Sequence, residues 1–200
     1  MDDGLKKNYY KSEEILKESY ELIGNVATDK SIRKKIIDIS ELIIDALQSG
    51  KKVLFFGNGG SAADAQHMAG EFVSKFMFDR KSLPGIALTT DSSVITAVAN
   101  DYGFQYIFSR QIESIGVRGD IAFGFSTSGK SLNILKGLEV AKKNGLFTVG
   151  LTGEEGNSME NYCEILIKIP SKTVPRIQEG HLLIGHTISE LVESRLFLWR

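Results

Sequence analysis

Residues 53–71 read VLFFGNGGSAADAQHMAGE, and this passage from apolar run to glycine turn to periodic helix decides the class of fold. Val53-Leu54-Phe55-Phe56 is a short, strand-like apolar run. Gly57, Asn58, Gly59 and Gly60 follow it, a turn that permits positive φ and a close backbone approach by a ligand. The helix that opens there offers unpaired N–H groups and the positive end of its dipole to an anion. His67 and Glu71 are spaced i,i+4 and leave the same helical face. That face can present a pair of metal ligands, or an acid and a base, to whatever the turn holds.

The same alternation continues on both sides of this stretch. Upstream, helical periodicity runs over residues 5–25 and again over about 30–49, a two-helix N-terminal extension. The second of these carries Ile36, Ile37, Ile39, Leu42, Ile43, Ile44 and Leu47 around much of its circumference. So wide an apolar surface predicts burial between subunits. Downstream, the helix bearing His67 and Glu71 is expected to reach about 76. Further strands are expected at 86–88, 120–125, 147–151 and 164–169, with helices at 92–100, near 105–115, at 131–144 and at 175–198. Short apolar strands alternating with helices predict an α/β fold with a doubly wound, five-stranded parallel sheet. No linker or low-complexity tract interrupts the 200 residues, which read as a single domain over 1–200.

Composition narrows the function classes. Lysine and arginine number 24 against 25 acidic residues, so no global basic field draws nucleic acid. Cys163 is the only cysteine, which excludes an intrachain disulfide and a cysteine-based zinc knuckle; it reads as a small buried hydrophobe. The N-terminus, MDDGLKKNYYKSEE, has no signal-peptide pattern, and no apolar run is long enough to span a bilayer, so a cytoplasmic protein without membrane partners is expected.

Three strand ends terminate in small, hydroxyl- or glycine-rich loops: Gly57–Ser61, Ser126–Ser131 and Thr152–Gly153. Ligands of open α/β sheets bind at such carboxyl ends. The second loop, STSGKS, presents Ser126, Thr127, Ser128 and Ser131, four hydroxyls suited to phosphate oxygens; capping of the following helix is the plainer reading. It lacks Walker A spacing. The first loop fits G-x-G-x-x-A through Gly57, Gly59 and Ala62. Asp91, however, lies too far on to serve a ribose, which disfavours a dinucleotide. The histidines are His67, His181 and His186, and the last two fall within QEGHLLIGH at 178–186. The partner Glu71 and the adjoining glycine loop favour a chemical role for His67, whereas the residues alone leave His186 ambiguous.

Taken together, the GNGGSAADAQHMAGE stretch, the Asn100-Asp101 pair, STSGKS and RIQEGHLLIGH resemble the sugar isomerase (SIS) family. Within it they are similar to the branch acting on seven-carbon sugar phosphates. The resemblance covers nearly the whole chain and implies a flavodoxin-like SIS domain. It implies an aldose–ketose isomerisation of sedoheptulose 7-phosphate to D-glycero-D-manno-heptose 7-phosphate, which feeds bacterial surface polysaccharides. On that resemblance Ser126, Thr127, Ser128 and Ser131 hold the phosphate. Asn58, Gly59, Gly60, Ser61, Asn100, Asp101 and Gln178 contact the substrate. Glu71 acts as the base at C1 and C2, and His186 as its acid–base partner. The resemblance also implies one zinc ion per subunit, bound by His67, Glu71, Gln178 and His186, and a homotetramer. Lys75 stands where some relatives carry arginine, keeping the charge without the bidentate fork.

Proton abstraction beside a carbonyl needs a base near carbon and an electrophile at oxygen, roles a carboxylate, an imidazole and a cation can share. A carboxylate that also ligates zinc has part of its basicity withdrawn. Two rival readings are a non-catalytic SIS phosphosugar-binding regulator, which would lack equivalents of Glu71 and His186, and an isomerase of another phosphosugar. Gln178 and His186 lie eight apart, about 12 Å along an unbroken helix. One ion reaches both only with each side chain stretched toward the other. That strain is removed by a helix break near Gly180 or by ligands from different subunits, and a site at a subunit interface with residues from more than one chain is expected.

Overall fold

Asp2 and Asp29 set the beginnings of the two N-terminal helices. In the computed structural model, which describes residues 2–198, the Asp2 carboxylate accepts from the Leu5 N–H at the head of α1 (Asp3–Thr28). Asp29 accepts from Ser31 and Ile32 at the head of α2 (Lys30–Gln48). The remaining elements alternate: β1 (Val53–Gly57), α3 (Gly60–Val73), β2 (Gly85–Ala87), α4 (Ser92–Asp101), α5 (Ser109–Ile115), β3 (Ile121–Ser126), α6 (Leu132–Lys143), β4 (Phe147–Gly153), β5 (Ile165–Ile169) and α7 (Val174–Phe197).

The strands form one five-stranded sheet in the order β2-β1-β3-β4-β5, every pairing parallel. Phe55 stands opposite Phe123, which stands opposite Val149. Because side chains alternate across a strand, the sheet feeds two separate cores. Val53, Phe55, Phe123, Leu151 and Ile167 point into a core closed by α1, α2, α3 and α7. Leu54, Phe56, Ala122 and Leu166 point to the other face, closed by α5 and α6. The expected doubly wound α/β class is the observed one.

Two of the expected helices change. The expected helix to 76 stops at Val73, because the chain beyond it turns off to meet α7. Lys75 therefore leaves the helical register of Glu71 and lies exposed. The single helix expected near 105–115 divides into a 3₁₀ turn at Phe104–Tyr106 and the short α5, and a 3₁₀ turn at Asn157–Asn161 carries no periodic signal. In the 30–49 helix, Ile36, Ile39, Ile43 and Ile44 are buried within the chain's own core, while Ile37 is 54% exposed. Exposed apolar surface also lies on α1, where Tyr9, Tyr10, Leu16 and Tyr20 are 63–78% exposed.

The strand order changes direction between β1 and β3, so the loops after those two strands diverge and leave a crevice at their carboxyl ends. The loops at 57–61 and 126–131 are the ones that follow these two strands.

Candidate active site

Backbone geometry at the first loop depends on glycine in two places. Gly59, the N-cap of α3, has φ +54°, and a Cβ on Gly60 would stand 2.1 Å from the Gln178 amide nitrogen. No side chain caps α3, and Ser131, the N-cap of α6, also makes no side-chain capping bond. Of the two readings of the STSGKS hydroxyls, capping by Ser131 is thus not realised. Ser126 Oγ accepts from Gly129 N–H at 3.1 Å and lies 3.4 Å from Ser131 Oγ; Ser128 Oγ accepts from Lys130 N–H at 3.2 Å. Asn58 ties the two loops together, exchanging side-chain hydrogen bonds of 2.9 and 2.8 Å with Asn133 of α6. Ser61 is buried in the turn, while Thr127 and Ser128 line a crevice of about 170 Å³ with Lys130 and Lys172.

The chemical centre lies along the contact of α3 with α7. His67 Nε2 is 2.7 Å from His186 Nε2 and 3.1 Å from Glu71 Oε1. One imidazole must carry the proton between the two nitrogens, or both must face a shared cation. The approach is close because Gly185 precedes His186: a Cβ there would stand 2.5 Å from the sulfur of Met68, the neighbour of His67. Burial, then the adjacent His67, lowers the His186 pKa, and Glu71 opposes them. The ring of Phe76 packs on His186 with centroids 5.5 Å apart.

Helix α7 is continuous from Val174 to Phe197, so no break occurs at Gly180. Gln178 sits two turns before His186, with its amide against Gly60 at the head of α3. His67 is seven residues beyond Gly60, about 10 Å along α3. Within one chain, then, the structure brings His67, Glu71 and His186 together and holds Gln178 at the glycine turn. Glu71 and His186 meet without a second copy. Asn100 and Asp101 end α4, exposed and hydrogen-bonded to each other at 2.8 Å; among the described residues no hydrogen bond links them to the loops.

Sequence reasoning passed over a buried pair beneath this centre. His181 is wholly buried, its ring 5.9 Å from that of Phe125, and its Nδ1 faces Asp64 Oδ2 at 3.9 Å. Burial pushes His181 down to about 4 and Asp64 up to about 6; the Thr152 backbone and His67 respectively oppose these shifts. The i,i+3 spacing of Asp64 and His67 was a usable signal. Cys163 is partly buried against the α6 side of the sheet, and burial raises its thiol to about 12, so it is held as the inert thiol.

The SIS domain family profile matches residues 17–153. Phosphoheptose isomerase from Aneurinibacillus thermoaerophilus is 52% identical over 172 residues, covering 86% of this chain and 87% of the relative. That from Clostridium acetobutylicum is 46% identical over 191 residues, 96% of each. Among solved structures, phosphoheptose isomerase from Francisella tularensis superposes with TM-score 0.86 at 34% identity, over 97% of this chain and all of that one. The enzyme from Neisseria gonorrhoeae gives 0.82 at 32%, over 95% and 98%. With its 2-1-3-4-5 sheet, its two glycine- and hydroxyl-rich loops and these relatives, the chain belongs to the SIS domain family.

Proposed function

We propose that the chain is a phosphoheptose isomerase, interconverting sedoheptulose 7-phosphate and D-glycero-D-manno-heptose 7-phosphate through an enediol. The observation that carries the reading is the convergence of His67, Glu71 and His186 where α3 meets α7, in a fold whose neighbouring strand β3 ends in the STSGKS loop. Relatives at about half identity over most of the chain bear the same activity in their names. A non-catalytic regulator has no use for a carboxylate and an imidazole held in contact.

The residues divide the work by position. Ser126, Thr127, Ser128 and Ser131, with the uncapped amides of α6, bind the phosphate and fix the far end of the sugar. Asn58, Gly59, Gly60, Ser61 and Gln178 present the glycine turn and an amide to the sugar hydroxyls, with Asn100 and Asp101 as further contacts. Glu71, 20% exposed, takes the proton from one carbon and returns it to its neighbour. His186 shuttles the proton between the two oxygens. Its lowered pKa keeps the imidazole neutral at pH 7, able both to give and to accept.

Nitrogens of His67 and His186 and an oxygen of Glu71 lie within 4.8 Å of one another, a donor set that suits zinc. These three would hold the ion, with Gln178 as the fourth residue of the proposed set. When bound, zinc would polarise the carbonyl oxygen. Metal analysis of the purified protein checks this directly: one zinc per chain, lost in His67→Ala. The exposed apolar residues of α1 support self-association as a homotetramer. Among the described residues no helix is long and apolar enough to cross a membrane, in keeping with a cytoplasmic place upstream of surface polysaccharide synthesis.

The deciding experiment incubates the protein with sedoheptulose 7-phosphate, with fructose 6-phosphate as control, beside Glu71→Gln. Turnover of the heptulose alone, reduced on the order of 10²-fold or more by the substitution, supports the reading. Turnover of fructose 6-phosphate in preference, or a fully active Glu71→Gln, sinks it.

A further inference from the structure

Arg80 and Glu193 form a buried ion pair whose partners are 113 residues apart, with side chains only 2% and 1% exposed. The pair lies outside the catalytic centre, yet its hydrogen bonds lead back to it from two directions. Arg80 Nη2 donates to the Glu71 carbonyl at 2.7 Å, and Nη1 donates to Phe72 O and Ser74 O at 2.7 and 2.9 Å. These are carbonyls of the last turn of α3, which the helix itself leaves without partners. Glu193 accepts from Arg80 Nε at 2.9 Å and from the N–H groups of Phe76 and Met77 at 2.9 and 2.7 Å. Burial alone would raise its carboxyl; the Met77, Phe76 and Arg80 donors outweigh that and hold it below the usual carboxylate range.

Helix geometry explains why this matters. Glu193 is two turns beyond His186 on the same face of α7 (i,i+7). Arg80 caps the turn of α3 that carries Glu71. Phe76, whose backbone is bound by Glu193, lays its ring against His186. The pair therefore joins the end of α3, the segment after it and α7 at one point, a turn or two from the reacting groups.

We propose that Arg80 and Glu193 are positioning residues, a clasp that sets the His67–Glu71 face of α3 and the Phe76 ring against His186. The proposal rests on the catalytic reading of Glu71 and His186 only for its effect on turnover. A buried ion pair is weak grounds for stability, since apolar replacements of both partners are often tolerated. Here the guanidinium and carboxylate meet six backbone groups that an apolar pair could not hold.

The test is the double variant Arg80→Leu/Glu193→Leu in the full chain, which removes both charges and leaves neither unpaired. With three histidines in the protein, the imidazole NMR signals can be assigned one by one. The clasp predicts a shifted or broadened His186 signal with that of core-buried His181 unmoved. It also predicts kcat lowered about 10-fold or more, with KM for the sugar phosphate within about 3-fold because the phosphate loop lies on β3 and α6. A folded double variant with wild-type His186 signal and wild-type kcat overturns the proposal, whatever its melting temperature. A moved His186 signal at unchanged kcat upholds the clasp and refutes instead the catalytic roles of Glu71 and His186. Should the double variant not fold, Glu193→Gln, which keeps the shape and an acceptor, is expected to give the same changes in smaller measure. An unchanged His186 signal and kcat there would equally overturn the proposal.

Discussion

Replacing Gly185 by alanine adds one carbon where α7 packs closely on α3. The new Cβ would lie 2.5 Å from Met68 Sδ, about 1 Å inside ordinary van der Waals contact. Met68 is 1% exposed and has little room to retreat, so part of the overlap is relieved by parting the helices. Overpacking of this kind costs about 1–3 kcal/mol, while alanine returns about 1 kcal/mol of helix propensity, leaving a net loss of roughly 0–2 kcal/mol. That corresponds to a drop in Tm of at most about 8 °C. The effect on chemistry should be larger. A parting of about 1 Å stretches the 2.7 Å His67–His186 contact beyond hydrogen-bonding range, and a displacement of that size in a catalytic group costs about 10²-fold in rate. The assay is kcat with sedoheptulose 7-phosphate beside a thermal melt, with KM expected to stay within a few-fold. Adding Met68→Ala makes room for the new methyl and should recover at least about 10-fold in kcat despite a further loss of stability. Wild-type kcat in Gly185→Ala, or no recovery in a folded double variant, would refute the argument that glycine sets the spacing of the site.

Ser126→Ala with Ser128→Ala should raise KM about 10-fold or more through lost hydrogen bonds to phosphate, with kcat at saturation much less affected; steady-state kinetics decide it. The buried Asp64–His181 pair gives two opposed pH effects, read from Tm between pH 4 and 7. His181 is held at about 4 against 6.5 unfolded, so the stability it contributes above 6.5 is lost as pH falls through that window. Asp64, at about 6 against 3.8, contributes stability present below 3.8 and lost as pH rises through 6. Acid destabilisation between pH 6.5 and 4 should therefore steepen in Asp64→Asn and flatten in His181→Gln.

What was legible in the sequence was whatever is written locally. Strands such as Val53–Phe56, buried on both faces, appear as unbroken apolar runs, and the glycine turn and the i,i+4 pair His67–Glu71 need only neighbouring residues. The arrival of His186 at that pair depends on a crossing of helices 119 residues apart, which no local period encodes. Arg80 lies in a polar stretch that reads as loop, and Glu193 resembles any charged residue of a long helix. Only the fold reveals that each is the other's partner. The wide apolar circumference of α2 has a related ambiguity: it shows that a helix is surrounded without showing by what. Its own chain supplies α7 and the sheet for Ile36, Ile39, Ile43 and Ile44, and leaves Ile37 exposed.

The first helix has the opposite character. At 26 residues it is about 39 Å long, and its two buried residues, Leu22 and Val26, belong to its last two turns. Arg176 of α7 reaches it no further back than the Ile15 carbonyl. The portion before that, with its two tyrosines, is a short stretch whose own propensity is too weak to hold a helix in water. In the proposed tetramer, neighbouring copies would supply its order, and the helix content of this arm would then follow protein concentration rather than the folded subunit alone.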